Sequence, residues 1–427
     1  MNMKIYMFRL VPTGLFQLGR RMRSTRISIN DAGQLPVWRR PFTLLALMAF
    51  CMPMAFATWQ ALLNNFVHVV AGFDGRDLGW LQSVREIPGF FAVGVILVVI
   101  FIHEQLLAVI SMMLLAGVVA FTAWFPSFYG LLMTTFLSSL GFHYYETVKM
   151  SLELQWLDKQ KAPKMLGWLI AIGASASLIT YLVIMLTWKV LGWDYNTLYM
   201  MGGGITFVIA IYCWLAFPRF EGNTVQHRHM VLRKRYWLYY ALQFMAGARR
   251  QIFIVFAAFM MVERFGFEVH EVTALFLINF IANMFFAPLM GGMVSKYGER
   301  NALAFEYVGL IIVFLAYTGV YIFGWGVVLA AGLYVLDHLF FALALAQKTY
   351  FQKIADPKDI GPTAAVAFTI NHIGAVVLPA LLGYVWLVSP AAVFGVATVM
   401  ACVSLGLALL IPRHPVEGAE TIFAGRN

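Results

Sequence analysis

Apolar runs long enough to cross about 30 Å of hydrocarbon at about 1.5 Å per residue recur along almost the whole chain. They fall near 42–64, 79–101, 105–125, 128–150, 165–187 and 197–217. After a polar stretch they resume near 236–262, 272–295, 302–323, 327–348, 363–387 and 391–412. The pattern predicts an all-α membrane protein with twelve transmembrane helices. The division is symmetric: 42–217 and 236–412 each hold six spans and agree in length to within one residue. The expected organisation is a basic N-terminal tail (1–40), a six-helix bundle (41–217), a linker (218–235), a second bundle (236–412) and a C-terminal tail (413–427).

Composition supports the same class. Of 427 residues, 61% are hydrophobic and 12% charged, about half the charged share of soluble domains. Mean hydropathy is +0.78. Thirty-five Gly and 37 Phe fit helices packed in lipid. Disordered, fibrous and disulfide-scaffold classes are excluded. Cys51, Cys213 and Cys402 lie in apolar runs and read as packing.

The net charge of +10 raises a nucleic-acid reading, which its distribution argues against. Lys4, Arg9, Arg20, Arg21, Arg23, Arg26, Arg39 and Arg40 precede the first span, and Arg228, Arg233 and Lys234 lie in the linker. The connections on the other side carry one basic residue each, Arg76, Lys189 and Arg264. This is the positive-inside pattern. It places both termini in the cytoplasm, with the bacterial inner membrane as the expected location and no nucleic-acid partner. No apolar run at the N-terminus is long enough for a signal peptide.

Two equal six-helix halves joined by a polar linker resemble the major facilitator superfamily. One motif carries the resemblance further. Gly291, Lys296, Gly298 and Arg300, between spans eight and nine, match a facilitator signature. Ser295 stands where the family has Asp, and Glu299 where it has a basic residue. The equivalent stretch in the first half, Ile102-His103-Glu104-Gln105, lacks the motif. The resemblance implies secondary transport by alternating access and a cavity lined by spans one, four, seven and ten. It also implies a charge latch at the cytoplasmic gate, here expected to use Arg300 and Glu306.

Ionisable residues at membrane depth each cost about 2.5–3.5 kcal/mol on insertion scales, so their positions narrow the function. Arg249-Arg250-Gln251 interrupt span seven near its middle. Guanidinium binds carboxylate or phosphate through a planar fork, which points to anion recognition. The bland alternative is neutralisation of each arginine by an acid on a neighbouring helix. Adjacent helical residues point about 100° apart, so one arginine is expected to face the cavity and the other to be paired. Arg85 and Glu86 lie in span two, where Arg85 either snorkels outward or assists binding and Glu86 is a counter-ion candidate for span seven. Pro88-Gly89 beside them suits a bending gate.

Span four carries His143, Glu146 and Lys149 on one face, span ten Asp337-His338, and span eleven Asn371 and His372. The expected substrate-binding set is Arg249, Arg250, Gln251, Arg85, Glu146 and Asn371. The expected proton-coupling set is Asp337, His338, His372, Glu86 and His143. The bland reading of each histidine is a hydrogen-bonded core residue, and that of Asp337 a fixed ion pair with Arg249 or Arg250. Glu146 and Asp337-His338 resemble, in position only, the acidic groups of some proton–sugar symporters of the family.

There is no Gly-x-x-x-x-Gly-Lys loop, no Cys/His metal spacing and no nucleophile elbow. The chain is therefore expected not to be an enzyme, to need no cofactor and to work as a monomer. The leading expectation is a secondary transporter for a small anionic metabolite, coupled to protons. An exporter of lipophilic or cationic compounds, and a non-transporting assembly or sensor protein, are the alternatives.

Overall fold

The computed structural model describes residues 26–91, 94–157, 162–221, 232–356 and 359–424. Most of the basic N-terminal tail and Arg228 of the linker lie outside them. Among the described residues the chain forms twelve helical rods. α1 is Pro41–Asn65, widening into a π-helical turn at Phe66–Val70. α2 is Gly75–Phe90, resuming as Gly94–Phe101. α3 is Glu104–Phe121, α4 Phe128–Trp156, α5 Ala162–Leu191 and α6 Tyr195–Ala216. α7 runs Trp237–Gln251, then through a π-helical stretch Ile252–Ala257 to Ala258–Glu263. α8 is Val269–Tyr297 and α9 Glu299–Ile322. α10 runs Val327–Phe340, a 3-10 stretch Phe341–Ala344, then Leu345–Ile354. α11 is Ile360–Val388 and α12 Pro390–Leu409.

Ten helical stretches among the described residues are long and apolar enough to cross a membrane. α2 and α4 are not among them. α2 is described in two pieces, Gly75–Phe90 and Gly94–Phe101, each shorter than a span. α4 carries His143, Glu146 and Lys149, and hydropathy falls where polar groups line a protein interior rather than face lipid.

Local sequence sets the short connections. Asp74, Ser127, Asp194 and Ser389 cap α2, α4, α6 and α12 through side-chain oxygens that accept backbone N–H bonds. Glu268 and Glu271 close a capping box on α8. Each satisfies N–H groups with no partner inside the helix. All five caps lie at one end of the molecule, the loop end.

The opposite end holds the described stretches before α1 and after α12. Arg26–Ser28 pairs in parallel with Arg219–Glu221, tying the segment before α1 to the one after α6. Arg39 Nε donates to the Ala216 carbonyl at 3.0 Å. Past α12, the Glu420 carbonyl accepts from Tyr350 Oη at 2.6 Å. These stretches of the expected tails pack against their own halves.

One expectation is corrected here. The facilitator-like motif is not a loop: α8 continues through Gly291 and Lys296 to Tyr297, and Glu299 and Arg300 already open α9. The chain turns on Gly298 alone, at φ +81°, a conformation that costs a residue with a Cβ but not glycine.

The two sets of six helices meet mainly along α2 and α11, which run antiparallel. Glycines allow the close crossing. A Cβ on Gly79 would stand 2.3 Å from the Pro379 carbonyl oxygen, and one on Gly383 2.7 Å from the Gly75 carbonyl. The Ala380 amide donates to Ser83 Oγ at 2.9 Å, and Trp80 Nε1 to Tyr384 Oη at 3.1 Å. Asn65 Nδ2 donates to the Phe267 carbonyl at 2.6 Å. Tyr181 of α5 packs on Phe276 and Phe280 of α8. Among the described residues, the side-chain hydrogen bonds and ion pairs joining the two sets lie at the loop end or at mid-bundle.

Candidate functional site

α7 carries Arg249 and Arg250 into two different surroundings, as their angular separation on a helix requires. Arg249 turns into the second set of helices. Its Nη2 donates to Glu306 of α9 at 2.9 Å, with side chains 4% and 0% exposed. The Tyr307 and Phe341 rings lie 5.5 and 5.8 Å from the guanidinium. Gln243, Gln347 and Tyr307 form a chain beside it, Gln243 Nε2 donating to Gln347 Oε1 and Gln347 Nε2 to Tyr307 Oη. One expectation and one bland alternative are corrected at this point. Glu306 does not latch a gate with Arg300, because it is held deep in the bundle by Arg249. Nor is Asp337 a fixed ion pair: it is buried on α10, and neither carboxylate oxygen has a hydrogen-bond partner among the described residues.

Arg250 turns to the seam between the two sets. Its Nη2 lies 3.9 Å from Glu86 Oε2, and its side chain is 34% exposed. The other carboxylate oxygen, Oε1, accepts from Arg85 Nε at 3.1 Å and Nη2 at 2.6 Å. Arg85 Nη2 also reaches Gln251 Oε1 at 3.4 Å. Gln251 is fully buried, and its Nε2 has no partner among the described residues. Two guanidinium groups thus share one carboxylate, with an unused amide donor next to them. Immediately after Gln251 the helix widens into the π-helical stretch Ile252–Ala257, an irregularity that often marks functional sites.

Two histidines complete the seam. His372 Nε2 lies 3.5 Å from Glu86 Oε2. The His143 and His372 rings meet edge to face at 5.4 Å. Ser139 Oγ donates to the Arg85 carbonyl and lies 3.0 Å from His143 Nδ1. A Cβ on Gly89 would fall 2.6 Å from Nε2 of each histidine, so both imidazoles depend on a glycine there. The order Arg85-Glu86-Ile87-Pro88-Gly89 marked this turn of α2; Ser139 carried no sequence signal.

The remaining candidates stand elsewhere. Glu146 pairs with Lys149 at 3.3 Å on a partly exposed stretch of α4. The His338 ring packs near Phe253 and Phe341 rather than joining Asp337. Asn371 Nδ2 donates to the Gln243 carbonyl at 3.0 Å, binding α11 to α7. A Cβ on Gly247 would stand 2.0 Å from the Asn371 carbonyl oxygen, so Asn371 belongs to a tight helix crossing. In the motif, Lys296 lies 5.2 Å from the Tyr297 ring, and Arg300 makes no ion pair among the described residues. The ion pair near this turn is one the motif did not indicate, Lys353 Nζ to Glu299 Oε1 at 2.6 Å.

Comparison with known proteins fits this architecture. A point mutant of the nucleoside transporter NupG superposes with a TM-score of 0.71 at 16% identity, covering 87% of this chain and 99% of that one. A bacterial homologue of the iron transporter ferroportin, in its inward-facing state, gives 0.70 at 10% identity, covering 88% and 99%. A bacterial homologue of the human lysosomal transporter Spinster gives 0.66 at 14%, covering 86% and 95%. At such identities the likeness is one of fold. No curated protein matches this chain in sequence. The model of the Major Facilitator Superfamily matches residues 105–379, well over half the length. With twelve helices in the facilitator arrangement, the chain belongs to the Major Facilitator Superfamily, as a transporter of the secondary kind.

Proposed function

We propose that the chain moves a small anionic organic metabolite across the bacterial inner membrane by alternating access, coupled to protons. The observation that carries the cargo class is the charge at the seam. Arg85 and Arg250 face a single carboxylate, Glu86, which leaves one positive charge uncompensated at membrane depth. The unpartnered Gln251 Nε2 adds a donor beside it. An excess cation in low dielectric is costly until an anion joins it, and guanidinium is suited to carboxylate or phosphate.

Asp337 is the proton-carrying group in this proposal. An ionised carboxylate without a hydrogen-bond partner is uncompensated, whereas alternating access can bring it nearer to Arg249 or to water. With both termini in the cytoplasm, the packed loop end faces outward, and this conformer is closed to the outside.

Uptake of a labelled metabolite panel into proteoliposomes, with and without a pH gradient, tests the reading. Accumulation of an organic anion, enhanced by an acidic exterior, is expected. Uptake of cations alone, or no uptake of any member, would sink it. A reporter fused after Asn427 should be active only in its cytoplasmic form.

A further inference from the structure

Glu86, His143 and His372 each offer one ligand atom, and the three atoms lie within 4.8 Å of one another, all on buried side chains. Their tautomers follow from hydrogen bonding. His143 Nδ1 lies 2.9 Å from the Ser139 carbonyl, and His372 Nδ1 2.8 Å from the Phe368 carbonyl. A carbonyl only accepts, so each Nδ1 carries the hydrogen, and in the neutral imidazole each Nε2 is left with a lone pair. His372 Nε2 faces Glu86 Oε2 at 3.5 Å, while Arg85 occupies the opposite oxygen, Oε1. Gly89 leaves room for both Nε2 atoms. Three acceptors therefore converge, and each ligand is oriented from behind by a further hydrogen bond. That is the organisation of a metal-binding triad, with the outer shell fixing tautomer and ring.

We propose that Glu86, His143 and His372 form a site for a divalent first-row transition metal ion, bound in this conformer through Oε2 and the two Nε2 atoms. Two nitrogens and one carboxylate oxygen suit Zn2+ or Co2+ rather than Mg2+ or Ca2+, which prefer oxygen alone. Metal–nitrogen bonds of about 2.0–2.1 Å require the ligands to close in by about 1 Å, within the reach of side-chain rotation. Glu86 and His143 come from α2 and α4, whereas His372 comes from α11. The ion therefore clasps the two sets of helices and must be released when α2 and α11 part. Arg250 stands 3.9 Å from Oε2. Its repulsion of the ion is offset when an anion takes the open coordination positions. The site itself does not rest on the cargo being an anion.

The test is titration of Co2+ into the untagged, purified full chain in detergent, followed by visible absorption. One ion per chain is expected, with ligand-field bands of nitrogen–oxygen coordination. Outer-shell partners alone carry about 10- to 100-fold in affinity, so His143→Gln, His372→Gln and Glu86→Gln should each weaken binding by at least about 100-fold. A second readout guards against misfolded variants. Co2+ should raise bridging of Trp80→Cys and Tyr384→Cys by a short bismaleimide, which reports α2–α11 closure, and should not do so when His372→Gln is added. Absence of saturable Co2+ binding, or binding unchanged in the His143→Gln/His372→Gln pair, would overturn the site. Transport of an organic anion is scored separately, so either reading can fail without the other.

Discussion

Arg250 and Glu86 approach to 3.9 Å across the seam between the two sets of six helices, while the preceding residue, Arg249, is closed off against Glu306. Two neighbouring arginines thus have different work. One is a fixed part of the second bundle. The other sits on the seam between the two sets, sharing its carboxylate with Arg85. Any conformer in which α2 leaves α11 and α7 must break the Arg250–Glu86 contact, so the charge balance of the seam changes with access.

The two arginines should respond differently to substitution. Arg250→Lys keeps the charge and loses the planar fork, so cargo affinity should fall about 10- to 100-fold, the worth of a charge-assisted bidentate bond, with the melting temperature unchanged. Arg249→Gln should instead destabilise by about 3–5 kcal/mol, because it strands a buried carboxylate. Arg249→Gln/Glu306→Gln should recover most of that loss. Cargo binding and thermal unfolding measured on all three variants decide it. Equal binding losses in Arg250→Lys and in Arg249→Gln/Glu306→Gln would remove the distinction.

The linker end of α11 gives a pH test outside the membrane. Arg233 Nε and Nη2 and Tyr236 Oη all donate to the Asp359 carboxylate, and the Arg233 hydrogen bond, foremost, holds it below the usual carboxylate range. A depressed carboxyl stabilises the fold above its unfolded value of about 3.9 and loses that contribution as pH falls through the folded value. Asp359→Asn should therefore expose residues 232–236 to proteolysis at pH 7 but make no difference below the folded value. A gap between wild type and variant that widens on acidification would contradict the assignment.

The helical layout was legible because lipid imposes a length on each span, and the count held even at α4, where His143, Glu146 and Lys149 lower the hydropathy. That one arginine of the pair faces inward and the other the seam follows from helix geometry alone. Which acid meets which arginine does not. Glu306 looked like a gate residue from its nearness to Arg300, but its face of α9 turns to α7, and pairing across helices has no sequence periodicity. The convergence of Glu86, His143 and His372 was hidden for the same reason, since the ligands lie on three helices and no spacing links them. Gly89 shows the limit well: its role is visible only once both imidazoles stand against it.

Asp337 can be separated from a structural partner of Arg249. Since Glu306 already neutralises Arg249 and the Asp337 oxygens have no hydrogen-bond partner among the described residues, Asp337→Asn removes a buried carboxylate that no ion pair compensates and should not lower the melting temperature. Cargo binding and exchange should persist. Accumulation driven by a pH gradient should drop to the level of exchange alone. Undiminished gradient-driven accumulation would take Asp337 out of the mechanism.

The α2–α11 crossing offers control of the access equilibrium itself. A Cβ at Gly79 would stand 2.3 Å from the Pro379 carbonyl oxygen, a backbone atom that cannot rotate away. Gly79→Ala should therefore push the two helices apart and penalise the conformer closed at the loop end. Overpacking of this kind costs about 1–3 kcal/mol, enough to move the balance between conformers by about 5- to 150-fold. The Trp80 Nε1–Tyr384 Oη bond, 3.1 Å long, lies one residue from the substitution and reports closure directly. In a chain whose exposed Cys402 has been replaced, Trp80→Cys/Tyr384→Cys should be bridged readily by a short bismaleimide, and Gly79→Ala should suppress that bridge. Because the clash acts only where α2 and α11 touch, the conformer open at the loop end bears none of it, and cysteines lining the seam should become reactive from the loop side. Cross-linking unchanged by Gly79→Ala would mean that this crossing persists throughout the cycle, and the helices would have to part elsewhere.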